Sequence, residues 1–273
     1  MPNRRAEPIT SLKNPLIKQV VKLRDKRWRD RLERFPIEGY REVRRALQSS
    51  VKIETLLICP AYFLGENEDA LIELAGEGGA QIQEVGKDAF LKISYRDRPD
   101  GLLAIARPMS AGLADIKLGQ QPLVVVIEAI EKPGNLGTIL RSADAVGVDA
   151  VIVCDPVTDI YNPNVVRASI DTLFTRPVVQ AGIEDVISWL RENKFSIVAT
   201  SPDAATNYTD AALPEQIAIV MGSEQYGLSE QWLQEANTRI SIPMLGLADS
   251  LNVAMATTLV LYEVLRQRKP VQP

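Results

Sequence analysis

Three short stretches of this sequence carry side chains able to do chemistry, and each follows an apolar run. PGNLGTILRSADAVG, from Pro133 to Gly147, offers Asn135 and Arg141, and IVMGSEQYGLSE, from Ile219 to Glu230, offers Glu224 in a turn entered through Gly222. The third, Ser241 to Arg268 (SIPMLGLADSLNVAMATTLVLYEVLRQR), places Asp249, Ser250 and Asn252 immediately before a helical pattern with Leu251, Met255, Thr258, Tyr262 and Leu265 at three- and four-residue steps. Short polar residues at such a point can satisfy the free N–H groups of a helix start, or they can face a ligand. Capping explains any one of these turns. Three Gly-bearing polar turns, each directly after an apolar strand, point further, because open α/β sheets bind ligands at their strand ends.

The absence of histidine narrows the chemistry at once. It removes Ser-His-Asp and Cys-His catalysis, HExxH zinc sites and any imidazole base. No metal site is expected. Gly86-Lys87-Asp88 lacks both the upstream Gly and the Ser/Thr of a phosphate-binding P-loop, and Gly134 with Gly137 does not form GxGxxG. Cys59 and Cys154 stand far apart at the ends of apolar runs and read as buried free thiols. No apolar run approaches the ~18 residues of a membrane span, and the first residues lack the apolar core of a signal peptide, so a soluble, cytoplasmic protein is expected.

The elements that must position these turns alternate along residues 123–273. Strands are expected at Leu123–Ile127, Ala150–Cys154, near Val178, and at Phe195–Ala199, Ile217–Met221 and Arg239–Ile242. Helices are expected at Leu136–Val146, Asn164–Phe174, Glu184–Asn193, Ser229–Ala236 and Ser250–Arg268. Fully apolar strands with helices between them indicate a parallel sheet covered on both faces. Residues 108–122 read as a linker. Residues 1–107 read as a second, smaller α/β domain: a basic helix from Asn14 to about Arg34, a helix at Tyr40–Gln48, an acidic helix near Asn67–Ala75, and strands at Phe35–Glu38, Ile53–Cys59, Gln81–Val85 and Gly101–Ala106.

Charge separates the two parts. The chain carries −4 overall, yet residues 1–50 hold fourteen Lys and Arg against six Asp and Glu, a local +8. Such segregation suits a part that meets a polyanion joined to a part that does not. Lys18, Lys22 and Arg29 on the first helix and Arg41 on the next are the expected phosphate contacts.

In order and spacing, the three stretches resemble the signature motifs of the SpoU-type RNA ribose 2′-O-methyltransferases, a branch of the SPOUT superfamily. The resemblance covers residues 123–268, while TSLKNPLIK, the basic helix and the IEGYREVRRAL run resemble the ribosomal-protein-like substrate-binding domain that many members carry. It implies a parallel-sheet domain tied in a trefoil knot, S-adenosylmethionine held in that knot, and a homodimer formed through it. Carried over by position, Gly222, Ile242 and Leu251 contact the cofactor with Thr200 nearby; Asn135, Arg141, Glu224, Ser250 and Asn252 are the catalytic set. Arg167 resembles a residue that holds RNA phosphate. Asp171 departs from the pattern, standing where the family commonly has glycine.

The expected activity is therefore methyl transfer to a ribose 2′-hydroxyl, on ribosomal RNA first and transfer RNA second. A catalytically silent RNA-binding protein has no physical need for that catalytic set, and a dinucleotide oxidoreductase would need the missing glycine fingerprint. The fate of the hydroxyl proton stays open. Arg141 matches the residue regarded as the family's base, but a guanidinium with a pKa above ~12 acts more economically as a fixed cation, leaving Glu224 to orient it or take the proton.

Overall fold

A computed structural model describes residues 7–170 and 172–268. Asp171 lies outside the described residues. The chain divides into two compact units: residues 1–110 with 160–175, and residues 111–159 with 176–273.

The first unit begins with α1 (Pro15–Lys22) and α2 (Lys26–Leu32), followed by β1 (Phe35–Glu38), α3 (Tyr40–Leu47), β2 (Ile53–Ile58), α4 (Glu68–Glu77), β3 (Gln81–Glu84), α5 (Lys87–Ile93) and β4 (Leu102–Ala106). Its mixed sheet has the order β1-β4-β2-β3, with β4 antiparallel to both neighbours and β2 parallel to β3. Ile17, Val20 and Leu23 seal one face together with Phe90 and Ile93 of α5. At seven residues α5 is too short to show a helical period in the sequence, and it was not anticipated.

The basic stretch is two helices rather than one. Asp25 ends the first by capping the second, accepting a hydrogen bond from the Arg27 N–H at 2.9 Å. The carbonyls freed at the break are taken up by Arg29, whose Nη1 donates to Leu23 O at 2.7 Å and Arg24 O at 2.8 Å. Arg29 is 4% exposed. Its expected role as a phosphate contact is therefore corrected: its guanidinium is spent on backbone carbonyls that would otherwise lack donors. Lys18, Lys22 and Arg41 are exposed, and the Lys22 ammonium lies 4.2 Å from the Trp28 ring centroid.

The second unit contains β5 (Leu123–Glu128), α6 (Pro133–Val146) and β6 (Ala150–Cys154). The chain then departs through α7 (Pro163–Ala168) into the first unit and returns for β7 (Val178–Ala181), α8 (Ile183–Glu192), β8 (Ser196–Thr200), β9 (Thr206–Asn207), β10 (Ile217–Met221), α9 (Glu230–Glu235), β11 (Thr238–Ser241) and α10 (Val253–Gln267). All seven strands are parallel, in the order β7-β6-β5-β10-β8-β11-β9. Every residue of β5, β6 and β10 is buried, as strands covered on both faces must be. Cys59 and Cys154 are buried and free, and burial pushes the Cys154 thiol up to about 12.

Residues 160–175 depart from the linear division expected at 107 and 123. Tyr161 packs 4.4 Å from the Phe35 ring and Phe174 6.3 Å from it, while the Tyr161 hydroxyl accepts from Met109 N–H at 2.7 Å. The helix expected over Asn164–Phe174 stops at Ala168, and Ile170 adopts φ +46° before a short 3-10 turn at Thr172–Phe174. Arg167 is thereby carried on the first unit, exposed, with its guanidinium 3.3 Å from Asn164 Oδ1. No helix among the described residues is long and apolar enough to cross a membrane.

Candidate active site

β5, β10 and β11 end on the same edge of the parallel sheet, and the three chemistry-bearing turns follow those ends. The turn after β10 folds back on itself. Ser223 and Gly227 exchange backbone hydrogen bonds of 2.9 and 3.1 Å, with Gly227 at φ +68°. Gly222 is required for this closure, because a Cβ there would stand 2.2 Å from Gly227 C. Beneath the turn, Thr200 at the end of β8 donates its hydroxyl to Val220 O at 3.0 Å.

Between these turns lies an open cavity of about 420 Å³, and its wall includes Thr200, Gly222, Glu224, Ile242, Ser250 and Leu251. All four residues expected to contact a cofactor are among them. A cavity of this size, with apolar walls and polar turns, is of the class that holds a nucleoside-sized molecule. Asp249 and Ser250 also border it, so neither is simply a cap.

Capping falls to Asn252, whose Oδ1 accepts from Ala254 N–H at 3.0 Å and Met255 N–H at 3.4 Å. Its amide nitrogen remains available and donates to Asn135 Oδ1 at 3.1 Å. Asn135 Nδ2 in turn donates to Glu224 Oε1, and Glu224 Oε2 pairs with the Lys132 ammonium. One polar chain thus ties together all three sequence stretches. Farther along the same two helices, Ser142 and Thr258 hydroxyls meet at 2.7 Å.

The Glu224 side chain is 14% exposed and the Lys132 side chain 68%. The carboxylate raises the Lys132 pKa, chiefly by its hydrogen bond, so the ammonium stays charged. Lys132 was missed in the sequence, where a lone lysine before Pro133 reads as solvated surface. Its proximity to Glu224 is a tertiary fact. Arg141 is not drawn into this chain; it is exposed and its guanidinium makes no hydrogen bond or ion pair among the described residues. No cluster of three or more His, Cys, Asp or Glu side chains suited to a metal occurs among the described residues.

Comparison with known proteins agrees with this geometry. The model of the SpoU rRNA Methylase family matches residues 122–262, and that of the MRM3-like substrate binding domain matches residues 14–104. The 23S rRNA (guanosine(2553)-2′-O)-methyltransferase RlmP of Bacillus subtilis is 28% identical over 94% of this chain and 98% of its own length. The 23S rRNA (uridine(2479)-2′-O)-methyltransferase of Streptomyces viridochromogenes is 29% identical, covering 88% of this chain and 85% of that one. Among solved structures, the AdoMet-bound rRNA methyltransferase from Sinorhizobium meliloti superposes with a TM-score of 0.89 at 32% identity, covering 97% and 99% of the two chains. With its fold, its strand-end cavity and its three motifs brought together, this chain belongs to the SpoU rRNA methylase family.

Proposed function

We propose that the protein transfers a methyl group from S-adenosylmethionine to a ribose 2′-hydroxyl of ribosomal RNA. The observation that carries this reading is the chain Lys132–Glu224–Asn135–Asn252 meeting the wall of a cavity lined by Thr200, Gly222, Ile242 and Leu251. Relatives whose names specify 23S rRNA match across both units, which supports ribosomal over transfer RNA.

S-adenosylmethionine, when bound, supplies an electrophilic methyl group. The protein's task is alignment, worth several orders of magnitude when reacting atoms are held in line. Asn135 has its amide fixed at both ends, so the site is set before substrate arrives. Ser250, exposed at the cavity wall, and Asn252 flank the position for the ribose, and Arg141 offers a free cation for the adjoining phosphate. A hydroxyl becomes acidic as its oxygen is alkylated, so a weak acceptor suffices. Glu224, like Asp249, is an acceptor-only carboxylate at that wall, and Glu224 is the one joined to Asn135. Its oxygens already serve Asn135 and Lys132, which favours a primary role in holding Asn135.

Two further points belong to this reading. After β11 the chain returns to lay α10 on α6 and β10, where Gln267 accepts from Leu213 N–H at 3.0 Å and Arg268 donates to Glu215 O at 2.9 Å. That return supports a trefoil knot. The outer face of α10 leaves Met255 (62%), Leu259 (40%), Tyr262 (50%) and Leu265 (44%) exposed, which supports a homodimer, and ribosomal RNA as substrate supports a cytoplasmic location. The direct test is ribose-methylation mapping of ribosomal and transfer RNA from cells with and without the gene, joined to transfer of labelled methyl by the pure protein. A 2′-O-methyl mark in ribosomal RNA that vanishes with the gene is expected. Loss of a transfer-RNA mark alone would reverse the substrate assignment.

A further inference from the structure

The turn after β10 carries a side chain that the polar chain of the site does not use. Ser223 and Gly227 close the turn, and Glu224, Gln225 and Tyr226 form its tip. Both flanks of the tip are fixed: Glu224 is held by Asn135 and Lys132, and the Tyr226 N–H donates to Ser223 Oγ at 3.0 Å. The Tyr226 side chain is not. It is 78% exposed, more than any other aromatic residue described, and among the described residues its ring makes no aromatic or cation–π contact and its hydroxyl no hydrogen bond. A ring held in water on a braced turn forgoes the burial that normally stabilises an aromatic side chain, so its partner comes from outside the chain.

Tyr226 also belongs to the wall of the cofactor cavity. Thr200, Gly222 and Ile242 in that wall are half-buried, whereas the Tyr226 ring stands mostly in solvent, so it meets what arrives once the cofactor is in place. Charge decides which part of an RNA that can be. The wall includes Asp203, Glu224 and Asp249 but no lysine or arginine among the described residues, and only Glu224 has a cationic partner, Lys132. A phosphate is repelled by such a wall, so a nucleotide there must be held by a neutral part. The base is that part, because every base has a π-face and stacking on an aromatic ring needs no cation. Unpaired bases of RNA are commonly splayed out onto aromatic side chains in this way.

We propose that Tyr226 is the stacking platform for the base of the nucleotide being methylated, leaving its ribose to face Asn135 and Glu224. The proposal rests on the methyltransferase reading above, and it adds a base contact to a site otherwise read as holding ribose and phosphate alone. Stacking of this kind selects a nucleotide that is unpaired without selecting which base it bears.

The test is transfer of labelled methyl by the full-length protein to 23S rRNA purified from cells that lack the gene, for wild type, Tyr226→Phe, Tyr226→Leu and Tyr226→Trp. At so exposed a position the variants should melt as wild type does. The Leu variant, apolar but without a ring, should lose about thirtyfold in kcat/KM for RNA, the middle of the range for one base stacked on an aromatic side chain, while the Phe variant stays within about threefold. Affinity for S-adenosylmethionine and the salt slope of RNA binding should not move, since neither a cofactor contact nor a phosphate contact is lost. In the Trp variant the added indole should be quenched by this RNA beyond any change seen in wild type. Equal kcat/KM in the Phe and Leu variants would overturn the proposal, with transfer by wild type leaving the methyltransferase reading standing. No transfer by wild type would overturn both. A loss that appears in S-adenosylmethionine affinity instead would give the ring to the cofactor's adenine, and quenching that follows protein concentration without RNA would give it to a second copy of the chain; either result overturns the assignment to the substrate base.

Discussion

Asn135 is the residue through which the site holds its shape, because its amide donates to Glu224 and accepts from Asn252. Removing it disconnects the second motif from the third. Asn135→Ala is expected to lower single-turnover methyl transfer by about a hundredfold, the scale of a displacement near 1 Å in a reacting pair. Affinity for S-adenosylmethionine, measured by titration calorimetry, should stay within about twofold, since Asn135 is not in the cavity wall. Lys132→Met should cost less, about tenfold, and Lys132→Arg should restore most of it by renewing a charged donor to Glu224. Equal losses in the Met and Arg variants would deny the ion pair a role. Gly222 acts differently. A side chain there would not simply fill the cavity, because its Cβ meets Gly227 backbone at 2.2 Å and cannot be accommodated without opening the turn. Gly222→Ala should therefore abolish cofactor binding and also cost on the order of 2 kcal/mol of stability. An unchanged melting temperature in that variant would show that the turn yields freely.

At the scale of elements, α10 has two apolar faces. Val253, Ala254, Thr257, Val260, Leu261 and Val264 are buried, whereas Met255, Tyr262 and Leu265, part of the stripe most legible in the sequence, lie on the exposed side, and Leu251 precedes the helix in the cavity wall. A helix apolar all round signals burial on every side without saying which face meets its own chain. The parallel strands were legible for the opposite reason: continuous Val and Ile runs such as VVVI fit only a sheet covered on both faces. The residues expected to be catalytic came from resemblance alone; the Asn135 links bring Asn135, Glu224 and Asn252 together and Ser250 borders the cavity, whereas Arg141 stays outside that chain. Arg29 was misread because a basic side chain that fills the carbonyls of a helix break looks, in sequence, like one that faces solvent. Arg29→Met should destabilise the fold by about 2 kcal/mol through loss of two charged-donor hydrogen bonds, read from the denaturation midpoint. Lys22→Gln, at an exposed position, should leave that midpoint within about 0.5 kcal/mol.

For the whole molecule, the polarity of the chain sets what each part can bind. Fourteen basic against six acidic residues in the first fifty give way to a net −12 over the remainder, so RNA affinity should reside in the first unit and the free apolar face of α10 should serve protein contact. Leu259→Glu should produce a monomer by sedimentation if that face joins two copies, and a species of unaltered mass would exclude it. The test of the charged surface is independent of oligomeric state. Each phosphate contact releases condensed counterions, so the slope of log affinity against log salt counts contacts, at about 0.7 per phosphate for a single strand. Lys18 and Lys22 are exposed and, unlike Arg29, their side chains have no carbonyl or carboxylate partner among the described residues. Replacing both by Gln should reduce the slope by about 1.4 while leaving S-adenosylmethionine affinity unchanged. The Lys22 ammonium also rests over Trp28, so a Trp28→Ala control distinguishes loss of that packing from loss of charge. If the double variant keeps the wild-type slope, α1 is a solvated face, and the phosphate contacts must come instead from Arg41 and Arg167.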